Sequence, residues 1–301
     1  MESSLQKALQ KAKRKQVLKI VIISIVVVIV ALAALYRVGN YFVTKNTTRL
    51  SDALFLENEI AEPNIQIDSQ VRSSSSVFGG NIVTNRSKNI DGYIVQWSTL
   101  TSSYGWFMSH IDSNELVPAF YSHDDELYHY DKQTKQKVGT FYNPSIEDYY
   151  GGIKNDLNAV SKMKNHVAEV AISFEKPYTL EEIQKQIPDN LNIVWLYMAS
   201  PIVDESKGPT GMPVYGFNPS SSPKESYNEF TKNLKKYNAE DETIQKFLAS
   251  NKDKSFDKVK ILGVMVTGQT KNFKALENKD FIRGASVGAT AQMVPYIKPE
   301  K

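Results

Sequence analysis

The densest group of side chains able to do chemistry is His123-Asp-Asp-Glu-Leu-Tyr-His129, two histidines and three carboxylates within seven residues. Such donors hold a divalent metal when they converge on one point. No HExxH spacing is present, and an alternating strand would set His123 and His129 on one face about 20 Å apart. The segment therefore reads as a solvated turn leading into a hairpin. His110 and His166 are isolated and read as structural.

Other chemistries lack their residues. The chain holds no cysteine, which excludes a disulfide scaffold, a thiolate metal site and a cysteine nucleophile. No GxSxG elbow, SxxK, GxGxxG or phosphate-binding loop occurs. Gly208-Pro-Thr-Gly211-Met-Pro-Val-Tyr-Gly216 is glycine-rich, but its prolines remove the N–H groups that a phosphate cradle needs. It reads as a mobile loop. Trp97, Tyr104 and Trp106 could line a ligand surface, with core packing as the default for aromatic side chains. No cofactor and no metal is expected, and nothing in the residues argues for catalysis.

The elements around these residues are organised by one stretch. Ile20 to Tyr36 is an uncharged, almost wholly apolar run between Lys19 and Arg37. Seventeen residues give a helix of about 25 Å, and the two flanking cations can snorkel to extend the span across a bilayer. Ala31-Leu32-Ala33 has the form of a signal-peptidase site, but the run continues through Leu35 and Tyr36, which favours a retained anchor. Lys7, Lys11, Lys13, Arg14, Lys15 and Lys19 precede the run against a single Glu2, so the N-terminus is expected in the cytoplasm and the remainder outside. Removing those six basic residues and one acidic residue from totals of 36 and 33 leaves 30 against 32. The basicity is thus topological, and no nucleic-acid partner is expected.

Four segments follow from this division: a basic tail (1–19), the transmembrane helix (20–36), a β-rich part (37–150) and an α+β part (151–301). Val38–Glu62 extends the helix beyond the membrane until Pro63-Asn64 stops it. Ile65–Val71, Ile82–Thr84 and Tyr93–Leu100 read as strands, with a turn over Ser73–Ser76 and Gly79-Gly80. Lys137–Tyr142 is expected to pair with 127–130 across a polar turn. Asn155–Val167 has helical periodicity, and Val167–Phe174 is a strand. Thr179 with Glu182 forms a capping box for a helix to Ile187, and Leu191–Met198 is a buried strand, together resembling a split βαβ unit. Two helices (226–237, 240–250), a strand (258–267), a short helix (271–276) and a final strand (282–294) complete an α+β chain. Gly284 and Gly288 mark bulges or close approaches.

Three blocks carry a family resemblance. QKALQKAKRKQVLKIVIISIVVVIV, continuing to Ala61-Glu-Pro63-Asn64, resembles the N-terminal module of the sigma factor regulators of Gram-positive bacteria. Residues 166–200 and 261–296 resemble their C-terminal module, through Ala171-Ile-Ser-Phe174, Trp195, Gly268, Phe281-Ile-Arg283 and Val287-Gly288-Ala289. The resemblance implies a single-pass membrane regulator of an extracytoplasmic-function sigma factor, an anti-sigma factor or its accessory subunit. Nineteen residues precede the anchor, fewer than family members use to hold a sigma factor directly. The tail could instead engage an anti-sigma protein or a membrane complex, while the remainder takes an extracellular ligand or signal. Two rivals carry over from the residues: an anchored cell-envelope hydrolase using unmarked carboxylates, and a structural envelope-binding protein.

Overall fold

In the computed structural model, residues 2–107, 109–112, 119–121, 129–131, 133–204, 213–238 and 240–301 are described. The chain begins with a single unbroken helix, α1 (Glu2–Ala61), about 90 Å long. Residues 4–38 touch no core and remain exposed. From Gly39 onward one stripe turns inward: Gly39, Thr47, Leu50, Leu54 and Ile60 are buried at helical spacing. The helix ends where Pro63 forbids its continuation and Asn64 takes a left-handed φ of 54°. Its apolar run makes it the one helix among the described residues long and apolar enough to cross a membrane.

Alongside the second half of α1 stands an antiparallel meander of β1 (Gln66–Ser76), β2 (Gly79–Ile90), β3 (Tyr93–Gly105) and β4 (Ser109–Asp112). Leu50 and Leu54 pack on Ile82, Leu100 and Tyr104. Burying the two leucines contributes about 1.5–3 kcal/mol each. A two-stranded pair, β5 (Ala119–Tyr121) with β6 (His129–Asp131), follows.

The second sheet has the order β11-β7-β10-β8-β9, every neighbour antiparallel. β7 (His166–Tyr178) leads through α3 (Leu180–Gln184) to β8 (Asn192–Ala199), and β10 (Ile261–Gln269) lies between them: the split βαβ unit expected from the pattern. The capping box is present, with Glu182 N donating to Thr179 Oγ1 and Thr179 N donating to Glu182 Oε2. Beyond β9 (Tyr215–Phe217), Pro223 opens α4 (Pro223–Tyr237), and the Asp241 side chain caps α5 (Glu242–Asn251). One face of the sheet presents Ala168, Val170, Ile172 and Phe174 of β7, joined by Leu196, Val264 and Val266. α4 and α5 cover it with Tyr227, Phe230, Leu234, Ile244 and Phe247, and Ile60 of α1 enters the same core. Gly284 begins the irregular part of β11 (Ile282–Gln292), where a β-carbon would strike Ile153 and Tyr142.

Several local expectations change. Ser73–Ser76 belongs to β1, because its backbone pairs with β2, and the turn is confined to Val77-Phe78. The helix expected over Asn155–Val167 shrinks to α2 (Leu157–Ser161), since Leu157 and Val160 alone face the core and Asn165 turns at φ 55°. Lys137–Tyr142 forms no strand beyond a bridge from Lys137 to Tyr130. It lies across the second sheet's other face, where Phe141 packs with Ala171, Trp195, Tyr197 and Met265. Residues 122–128, including His123, and residues 205–212, which hold part of the segment read as a mobile loop, lie outside the described residues.

The two sheets are also clasped by residues 294–301. Asp91-Gly92 forms the β2–β3 turn with positive φ at both positions, as hairpin turns of this length require. Asp91 Oδ1 accepts from Asn192 Nδ2 at 3.1 Å and from the Lys301 amide at 3.0 Å. Tyr93 Oη donates to the Ile297 carbonyl at 2.8 Å. Asp91 is 1% exposed and its Oδ2 finds no donor. Burial, with the Glu300 charge, pushes its carboxyl up to about 6 from an ordinary 3.8, against the Lys301 and Glu300 amides. The folded chain therefore holds this proton more tightly than the unfolded one. The stabilisation is complete below about pH 4 and is lost as pH rises through about 6, by at most about 3 kcal/mol. Asp91→Asn keeps the acceptor and tolerates the turn. Its stability relative to wild type, from urea midpoints of the full chain in detergent, is expected to rise between pH 4 and 7; parallel profiles would contradict this.

Candidate coupling site at the end of the long helix

The site is built where α1 stops. The left-handed Asn64 turns its side chain into the fold, and its amide donates to the Asn89 carbonyl at 3.0 Å and to Glu169 Oε2 at 2.8 Å. Glu169 is the fourth residue of β7, on the face opposite the main core, and is 0% exposed. Its Oε1 accepts from Lys88 Nζ of β2 at 2.5 Å and from the Ala289 amide of β11 at 3.2 Å. Lys88 is 2% exposed, and its ammonium also lies 4.3 Å from the ring centre of Trp97. One carboxylate thus ties four separated segments: the helix end, β2, β7 and β11.

Backbone geometry makes room for it. β11 slips register between Val287 and Thr290, which turns the Ala289 N–H toward the carboxylate. A β-carbon on Gly288 would lie 2.4 Å from Glu169 Oε1, so only glycine fits there. Ile90, Tyr93, Trp97, Val167 and Ala289 form a small apolar cluster at the same junction. This keeps water out and strengthens the charge-assisted bonds.

A second set of charges holds the preceding turn of α1. Glu62 pairs with Arg86 at 2.5 Å, and Arg86 Nε donates to the Ser98 carbonyl at 2.8 Å. Asn58 Nδ2 donates to Glu62 Oε2 at 2.7 Å and to the Ile65 carbonyl at 3.0 Å. On the far side of the helix, Glu59 accepts from Asn233 of α4 at 2.7 Å. Glu57 has its carboxyl raised, first by burial and then by the Glu62 charge, against Arg86 and a Tyr237 hydrogen bond. Glu57, Glu62 and Arg86 share the wall of a cavity of about 240 Å³ with Leu54, Ile67, Thr84 and Leu100. No nucleophile stands beside a base among these groups.

The residues singled out from sequence fall in different places. Asn64 and Gly288 converge on the Glu169 carboxylate, and Pro63 ends α1 just before Asn64. Phe174 lies in the main core, edge-on to Tyr178. Trp195 is on the opposite sheet face, where Gly216 makes room for its ring. Gly268 permits close passage of Leu191 and Asn190. Arg283 ties the carbonyls of Pro144, Ile146 and Glu147. Lys7, Lys11, Lys13, Arg14, Lys15, Lys19 and Arg37 are exposed along α1. Trp97 and Tyr104 are core residues. Lys88 and Glu169 do not stand out by type, although Glu169 is the one charge within the apolar run Val167–Phe174, which signals a buried partner.

Residues 6–95 match the family model described as Sigma factor regulator N-terminal, and residues 160–289 match Sigma factor regulator C-terminal. Asn64 and Lys88 belong to the first matched region, Glu169, Gly288 and Ala289 to the second, so the ion pair joins the two. Among curated proteins and solved structures, none matches the chain. Breaking a buried pair from one side leaves an uncompensated charge. Glu169→Gln and Lys88→Met are each expected to cost about 3–5 kcal/mol in thermal or urea unfolding. Gly288→Ala should cost about 1–3 kcal/mol by crowding the carboxylate. The double variant Lys88→Met/Glu169→Gln should fall short of the summed costs by about 1–3 kcal/mol, and additivity within about 0.5 kcal/mol would refute the coupling.

Proposed function

Since the chain belongs to the sigma factor regulator family, we propose that it is a single-pass membrane regulator of an extracytoplasmic-function sigma factor, acting as an anti-sigma factor or its accessory subunit. In this reading Ile20–Tyr36 crosses the membrane with the basic residues 7–19 in the cytoplasm. The two sheets receive an envelope signal on the other side. Three features support the topology: the exposure of residues 4–38, the apolar run itself, and its cationic flank. The observation that carries the regulatory reading is the continuity of α1. The same helix that carries the basic tail places Ile60 in the main core and is held at its end by Arg86, Asn233 and, through Asn64, the Lys88–Glu169 pair. A displacement of either sheet is delivered along a rigid rod and not dissipated in a linker.

Inside the cell, Leu5, Ala8, Leu9 and Ala12 give the tail an apolar stripe on a basic helix, suited to docking on a sigma or anti-sigma partner. Deleting residues 2–15 while monitoring protein level by immunoblot is expected to change transcription from the cognate sigma factor's promoter under envelope stress. Unchanged reporter output at equal protein level would remove the tail from the mechanism.

A further inference from the structure

The first sheet ends, at the membrane side, in two aromatic tips. The β1–β2 turn carries Val77 and Phe78, and the chain after β3 carries Trp106 and Phe107. Phe78 stacks on Trp106 with ring centres 5.6 Å apart, and Phe107 meets Trp106 edge-on at 6.3 Å. Phe107 is 90% exposed and Phe78 63%. Trp106 Nε1 donates to the Val77 carbonyl at 2.5 Å, which locks the two tips together. We propose that these tips insert into the interfacial layer of the same bilayer that α1 spans, as a second membrane contact.

Their height along the helix is fixed. Both tips close on Gly39, where a β-carbon would lie 2.7 Å from the Val77 carbonyl and 2.8 Å from Trp106 Cζ2. Asn46 Nδ2 donates to the Gly105 and Trp106 carbonyls at 2.6 and 2.9 Å. Gly39 is three residues past Tyr36, about 4.5 Å along the axis from the end of the apolar run. That is the depth at which hydrocarbon gives way to headgroups, where tryptophan and other aromatics concentrate. Tyr36 and Tyr41 stand exposed on the helix at this level, beside Arg37. The chemistry of the tips agrees. At the tip ends of the strands, no Asp, Glu, Lys or Arg occurs from Ser73 to Asn85 or from Thr101 to Ile111, in a chain that is 23% charged. A surface facing bulk water would carry such charges, whereas one facing lipid excludes them. With two contacts, the sheet's rotation about the helix axis becomes fixed relative to the membrane.

This inference rests on the reading of Ile20–Tyr36 as a membrane span, and the test separates the two. The chain lacks cysteine, so Phe107→Cys, Ile94→Cys and Val28→Cys each accept a single nitrobenzoxadiazole label on the full chain in phosphatidylcholine–phosphatidylglycerol vesicles. Phe107 and Ile94 are exposed positions near opposite ends of the β3 hairpin, so labelling leaves the core intact. The label at 107 is expected to emit blue-shifted, to be quenched by a nitroxide placed high on the lipid acyl chain, and to lose quenching by iodide. The label at 94 should emit as in water and be quenched by iodide. An aqueous signal at 107 with a lipid signal at 28 overturns the inference alone. Shielding from iodide at 107 without quenching by the lipid nitroxide means a protein covers the tips, and overturns it also. An aqueous signal at 28 overturns the membrane span and the inference together.

Discussion

A lysine and a glutamate withdrawn from water are the constraint around which the two halves of the chain arrange themselves. Each ion loses several kcal/mol of hydration on burial, and only close pairing with every remaining lone pair satisfied offsets that loss. Here the carboxylate receives Lys88, the Asn64 amide and the Ala289 N–H, while the ammonium rests on the face of Trp97. An apolar pair of similar size could be as stable. It would not demand one register of β11, one residue type at 288 and one backbone conformation at 64. The arrangement therefore supplies specificity of relative placement between the helix end and both sheets.

That placement gives the long helix its mechanical meaning. A 60-residue helix with a free end would bend and rotate independently of the domain behind it. Burial of Leu50 and Leu54 against the first sheet and of Ile60 in the second core makes the last half of α1 part of the folded body. The three glutamates at 57, 59 and 62 reach Tyr237, Asn233 and Arg86, so the rod is held by α4 and β2 on different sides. In the proposed reading this stiffness matters, because a single membrane-crossing helix can transmit only displacement, tilt or rotation.

Much of this is written locally. The apolar run, the Pro63-Asn64 stop, the Thr179–Glu182 capping box and the split βαβ pattern depend on residues within a few positions of one another, and each is legible in the sequence. The departures come from distant partners. Ser73–Ser76 looks like a loop by composition but is paired by β2, and Lys137–Tyr142 looks like a strand but is recruited to cover Ala171 and Met265. The coupling site was half legible. Pro63, Asn64 and Gly288 stand out by type, while Lys88 and Glu169, 81 residues apart, acquire meaning only when the sheets meet.

The account stands on the claim that the helix end, β2 and β7 open as one unit because Asn64 links them. Asn64→Gly retains the left-handed backbone and removes only the side-chain amide. Hydrogen exchange of the full chain with this substitution is the most direct test. Protection should fall together in α1 from Leu50 to Ala61, in β2 and in β7. A loss confined to residues 62–66, with α1 and both strands as protected as in the wild type, would contradict it.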